Sequence, residues 1–142
     1  MTYTRIVEPT TRIPLEPSVI SVDLTAATDG SASDVAVYVP WKNCKLAYAY
    51  VVTTVAEGNK GAVGIDLELN AASGTAIGTI TVAQNASVGD IDELSSFTYE
   101  YAGENLHSNV SDRDAINIEV DGENTTAWVG TLFLYFVPNY KG

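Results

Sequence analysis

Basic residues are scarce in this 142-residue chain: 7 Lys and Arg stand against 18 Asp and Glu, for a formal net charge of −11. The shortage argues against a nucleic-acid surface, because phosphate binding needs clustered cations to displace counterions. It argues equally against docking on anionic lipid. Cysteine occurs once, at Cys44, so neither an intrachain disulfide nor a cysteine metal cluster can form. A lone cysteine beside a strand reads as a small buried hydrophobe rather than a nucleophile. Histidine also occurs once, at His107. A hydrolytic triad needs a base held against a nucleophile and oriented by a third group. Ser108, Ser111, Asp112 and Asp114 lie near His107 only in sequence. No run approaches a membrane span, and the opening MTYTRIVEPTTRIPLEP lacks an apolar signal core, so the expectation is folding in a cytoplasm without such a signal. No glycine-rich phosphate loop leads into a helix with Lys-Ser/Thr, and no repeat of solenoid length is visible.

Hydrophobic residues are plentiful, at 46%, enough for one domain with a real core. Residues 1–17 read as an extended arm. Pro9, Pro14 and Pro17 remove donors and favour extended backbone, while Ile6, Val7, Ile13 and Leu15 are isolated apolar points. Residues 18–142 form the domain proper, and its signal is period two almost throughout. Strands are expected over 20–24, 35–39, 44–56, 62–70, 75–83, 116–120 and 128–137, with a short alternating island at 97–101. The run 44–56 places Leu46, Tyr48, Tyr50 and Val52 on one face and Ala47, Ala49, Val51 and Val55 on the other. It reads as a central strand covered on both sides. A weak helical signal lies over 87–95. Seven or eight antiparallel strands at short spacing make an all-β domain, a single β-sandwich or barrel of jelly-roll type with an N-terminal arm.

Carboxylates are the commonest candidate chemical groups. Asp66 and Glu68 share one strand face, about 6–7 Å apart from the rise per residue, and read as a charged, solvated face. Asp90, Asp92, Glu93, Asp112 and Asp114 offer hard oxygen ligands on loops, yet neither cluster fits an EF-hand. Ten acids (Asp90, Asp92, Glu93, Glu100, Glu104, Asp112, Asp114, Glu119, Asp121 and Glu123) and one base, Arg113, fall between positions 88 and 123. They read as a solvated acidic rim, and no metal or cofactor is expected. Gly64, Gly78 and Gly130 inside strands mark bulges or close packing of sheets. Trp41, Tyr99, Tyr101 and Tyr140 fall on predicted loops or strand ends, where they could stack on sugars or line a subunit contact. Trp128, Tyr48, Tyr50 and Tyr135 are expected in the core.

Taken whole, the chain resembles the small all-β decoration (cement) and minor head proteins of tailed bacteriophages. The features that carry this are the arm Thr-Arg-Ile-Val-Glu-Pro and a compact sandwich rich in valine and alanine. To these add the strand Ile65-Asp-Leu-Glu-Leu-Asn70 with Gly74-Thr-Ala-Ile-Gly78, and the closing Leu132-Phe-Leu-Tyr-Phe-Val-Pro138. The resemblance implies a non-enzymatic protein on the capsid exterior, made in the host cytoplasm. It would bind the major capsid protein and neighbouring copies of itself, with a homotrimer favoured. Arg5, Ile6, Val7, Arg12, Ile13 and Leu15 would form the arm's contacts. The alternative class is a carbohydrate- or receptor-binding β-sandwich module that uses the loop aromatics.

Overall fold

A computed structural model describes residues 18–25, 33–39, 44–56, 61–70, 74–97, 114–122 and 128–138. Among them are eight strands and no helix: β1 Ser18–Thr25, β2 Ser33–Tyr38, β3 Cys44–Val55, β4 Val63–Leu69, β5 Thr75–Val82, β6 Ile91–Glu93, β7 Ala115–Gly122 and β8 Val129–Pro138. They form two four-stranded antiparallel sheets with orders β1-β8-β3-β6 and β2-β7-β4-β5. The chain passes repeatedly from one sheet to the other, a β-sandwich of jelly-roll type.

Alternation dictates the core. In β4, Val63, Ile65 and Leu67 are fully buried; in β7, Ile116, Ile118 and Val120 meet them from the neighbouring strand. In β8, Leu132, Leu134 and Phe136 face inward from the first sheet. Burying each such side chain contributes about 1.5–3 kcal/mol. Trp128, just before β8, is fully buried, and its Nε1 donates to Thr53 Oγ1 at 3.1 Å, so its one polar atom is satisfied.

Two glycines permit close approaches. A Cβ on Gly130 would lie 2.6 Å from Trp128 Cη2 and 3.0 Å from the Val52 carbonyl oxygen. The absence of a side chain at Gly130 is what lets the indole lie against β8. At Gly78, a Cβ would meet Leu94 Cδ1 at 2.7 Å, so the 94–96 segment can fold over β5. Gly64 is different: its nearest contact would be an ordinary 3.7 Å, and no close packing explains it.

Two sequence expectations are corrected here. The 87–95 region is not helical. Ser87 and Asp90 close a turn, with the Ser87 amide donating to Asp90 Oδ2 at 2.8 Å and the Asp90 amide to the Ser87 carbonyl at 3.0 Å. Gly89 takes φ +92° within it. The chain then adds β6 to β3, because the Thr53 and Leu94 amides find carbonyls at Asp90 and Ala49. Cross-strand hydrogen bonding outcompetes a short helix whose nucleation is unfavourable.

The faces of β3 also differ from simple alternation. The β3–β8 register slips between Leu46 and Tyr48, the signature of a bulge that inserts one residue and reverses the phase of the strand beyond it. Leu46 stays inside, and Ala49, Val51 and Thr53 point inward after it. Tyr48 is exposed and Tyr50 half-buried on the outer side. The strand is flanked by β8 and β6 but is not covered on both faces.

Candidate functional site

The bulge in β3 delivers an aromatic surface to the outer face of the β1-β8-β3-β6 sheet. Tyr48 sits opposite Tyr135 and Tyr50 opposite Phe133. Phe133 and Tyr135 face outward because they alternate with the buried Leu132, Leu134 and Phe136. Three rings adjoin: Tyr50 and Phe133 stack, with centroids 4.9 Å apart at 16°, and Tyr48 is tilted against Tyr50, 5.4 Å away at 38°. Such offset contacts contribute about 0.5–1.5 kcal/mol each beyond area burial. Tyr48, 38% exposed, closes one end of the row.

Polar groups border this ridge. Glu93 on β6 lies opposite Tyr50 and accepts a hydrogen bond from the Tyr48 hydroxyl. That bond raises the Tyr48 pKa above its ordinary 10.0, with burial and the Glu93 charge adding to the rise, since all three favour the neutral phenol. On the opposite edge, Thr131 Oγ1 donates to Asp23 Oδ1 at 3.0 Å. Lys45 lies farther along β3, opposite Val137. Val19 on β1, exposed and opposite Tyr135, and Ile91 on β6, exposed and opposite Val52, add apolar area to the same face. A patch of rings bordered by hydroxyls and carboxylates suits a ligand with both apolar faces and hydroxyl groups.

Among the described residues, the acids of the 88–123 stretch are not gathered into one site. Asp90 closes the turn before β6. Asp92 lies opposite the buried Val51 and Glu93 opposite the outward Tyr50, so the two carboxylates leave β6 on different sides. Burial raises the Asp92 pKa, and the Asp90 charge raises it further. Among the described residues no group of three or more His, Cys, Asp or Glu could hold a metal ion.

Asp66 and Glu68 do share the outer face of the second sheet, as the strand pattern requires. Asp66 lies between Thr79 and Glu119, and Thr79 Oγ1 donates to its Oδ1 at 2.7 Å. The face is drier than the expected solvated one: both acids are half-buried, and Glu68 Oε2 is a buried oxygen without a hydrogen-bond donor. At the end of β4, Asn70 takes φ +69° and clasps β7, its Oδ1 accepting from the Ala115 amide at 2.9 Å.

Of the aromatics expected in the core, only Trp128 is there; Tyr48, Tyr50 and Tyr135 stand on the outer face. Phe133, absent from the sequence candidates, and Glu93, considered there only as an oxygen ligand of an acidic loop, complete the patch. Strict alternation of 132–137 marks Phe133 and Tyr135 as sharing a face, but the sequence does not say which face is dry. The predicted arm contacts Arg5, Ile6, Val7, Arg12, Ile13 and Leu15 lie outside the described residues, as do Trp41, Tyr99, Tyr101, His107 and Tyr140.

No protein-family model matches the chain, and no curated protein matches it. Similar solved structures include CsCBM6-3 from Clostridium stercorarium in complex with cellobiose. It is 19% identical, with 94% of this chain and 84% of that chain covered at a TM-score of 0.42. Another is the carbohydrate-binding module CBM36 in complex with calcium and xylotriose, 15% identical, with 92% and 98% covered at a TM-score of 0.43. At such identities the likeness concerns architecture and transfers no residue role. The expectation of a capsid-decorating protein is nonetheless corrected: both of these similar solved chains are carbohydrate-binding modules, the class of the alternative. The resemblance to phage proteins rested on sandwich style and an arm, and sandwiches of one style serve unrelated functions.

Proposed function

We propose that this protein is a non-catalytic β-sandwich module that binds carbohydrate on the outer face of the β1-β8-β3-β6 sheet. The observation that carries this is the row of adjoining rings Tyr48, Tyr50 and Phe133, with Glu93 bonded to the Tyr48 hydroxyl at its border. Sugars present apolar C–H faces and a rim of hydroxyls. Rings take the first, and carboxylate and hydroxyl side chains such as Glu93, Asp23 and Thr131 take the second. This placement differs from the loop aromatics that the sequence suggested, because the ring face belongs to the sheet itself. Glu93 and Asp23 stand on opposite edge strands, an arrangement suited to holding a ligand between them.

Titration calorimetry of the full chain with soluble β-1,4-linked hexasaccharides tests the reading. Binding is expected to be saturable, and Tyr50→Ala is expected to weaken it about tenfold or more, the loss of roughly 1.4 kcal/mol. Circular dichroism and thermal unfolding confirm that the variant is folded. Saturable binding unchanged in folded Tyr50→Ala and Tyr48→Ala variants, or no binding by the native chain, would overturn it.

A further inference from the structure

The ring face has an electrostatic sign, and that sign selects among sugars. Glu93 lies beside Tyr48 and Tyr50, and Asp23 borders the same face from β1. Lys45, the one cationic side chain among the described residues, sits beyond Tyr48 along β3, opposite Val137. The Tyr48 hydroxyl occupies Glu93 Oε2, and a carboxylate has acceptor capacity on both oxygens. The whole chain adds a long-range negative field, with a net charge of −11.

An aromatic face beside a carboxylate is a site for a cation bearing N–H donors. The ring quadrupole attracts an ammonium within about 6 Å of its centroid, and the carboxylate accepts a charge-assisted hydrogen bond from it. An acidic sugar would meet Glu93 and Asp23 as like charges. Resting on the carbohydrate-binding function proposed above, we infer that the preferred ligand is an amine-bearing glycan, a β-1,4-linked glucosamine chain. One protonated 2-amino group would lie by Glu93 while the sugar ring packs against Tyr48.

Three hexasaccharides that differ at carbon 2 separate the possibilities: the 2-amino (glucosamine), 2-acetamido and 2-hydroxy (cellohexaose) forms. Each is titrated into the full chain at a pH where the free amines are protonated, in moderate salt. The expected result is about tenfold tighter binding of the glucosamine hexamer than of cellohexaose, the strength of one charge-assisted contact. Glu93→Gln, which keeps an acceptor for Tyr48, is expected to abolish that preference, bringing the 2-amino and 2-hydroxy forms within about twofold of one another whatever it costs the affinity for both. Asp121→Asn on the other sheet removes the same net charge and is expected to leave the preference intact. Equal affinity for the 2-amino and 2-hydroxy forms overturns the inference while leaving carbohydrate binding standing. So does a preference that Glu93→Gln and Asp121→Asn reduce alike, which is attraction by net charge alone. Binding to none of the three overturns this inference and the proposed function together.

Discussion

The two sheets bury similar aliphatic faces but present opposite outer ones. On the first, β3 and β8 bring Tyr48, Tyr50, Phe133 and Tyr135 together, with one carboxylate bonded to the Tyr48 ring hydroxyl. On the second, β4 and β7 set Asp66 directly opposite Glu119, and Gly64 opposite Asp121. Like charges opposite one another on antiparallel strands are destabilising. Rings facing one another stabilise their sheet, so the aromatic face could persist for packing alone. The exposure of Tyr48 and the hydroxyl–carboxylate border are the features on which the proposal of binding at that face rests.

The comparison can be strained first where backbone packing differs. Gly130→Ala in the first sheet is expected to cost about 1–3 kcal/mol, because the new methyl meets the Trp128 indole and the Val52 carbonyl. Gly64→Ala in the second meets only an ordinary contact. It is expected to be neutral or to stabilise by up to about 1 kcal/mol through the unfolded chain. Urea unfolding of both variants checks the pair, and equal losses would refute the difference in packing.

A smaller effect concerns the acids. Asp66→Asn keeps an acceptor for Thr79 and removes the repulsion with Glu119. It is expected to stabilise by about 0.2–1 kcal/mol at low ionic strength, an advantage that shrinks as salt screens the carboxylates. Thermal unfolding at two salt concentrations measures it; a gain that does not respond to salt would place the effect elsewhere.

Smallest in energy is the titration of Tyr48. Its pKa is raised, so the folded state holds the phenolic proton more tightly than the unfolded one. The stability linked to it is complete below the ordinary value of 10.0 and is lost as pH rises through the folded value. In Glu93→Gln the hydrogen bond no longer ends on a charge, and spectrophotometric titration should show the Tyr48 ionisation moving down towards its ordinary value.

Much of the fold was legible because period-two alternation is a direct imprint of one dry and one wet face. Strands expected over 62–70 and 75–83 appear as Val63–Leu69 and Thr75–Val82. Alternation failed at two kinds of place. At Ala47 a single bulged residue reversed the phase, which local pattern cannot reveal when Ala, Tyr and Val fill both faces of the strand. At 91–93 the strand is only three residues long and exists through its pairing with β3. The ring patch was missed for the same reasons: Tyr50 and Phe133 are 83 positions apart in sequence and meet only through the β3–β8 register. Aromatic residues in strands look like core until the outer side of the sheet is known.

The location of the binding face is tested most directly by nuclear magnetic resonance. Backbone and aromatic signals of the full chain would be followed while a soluble β-1,4-linked hexasaccharide is added. Saturable shifts are expected, centred on Tyr48, Tyr50, Glu93, Phe133 and Tyr135, with Asp66, Glu119 and Asp121 unmoved. Shifts centred on β4 and β7, or no saturable shift in the first sheet, would contradict that location.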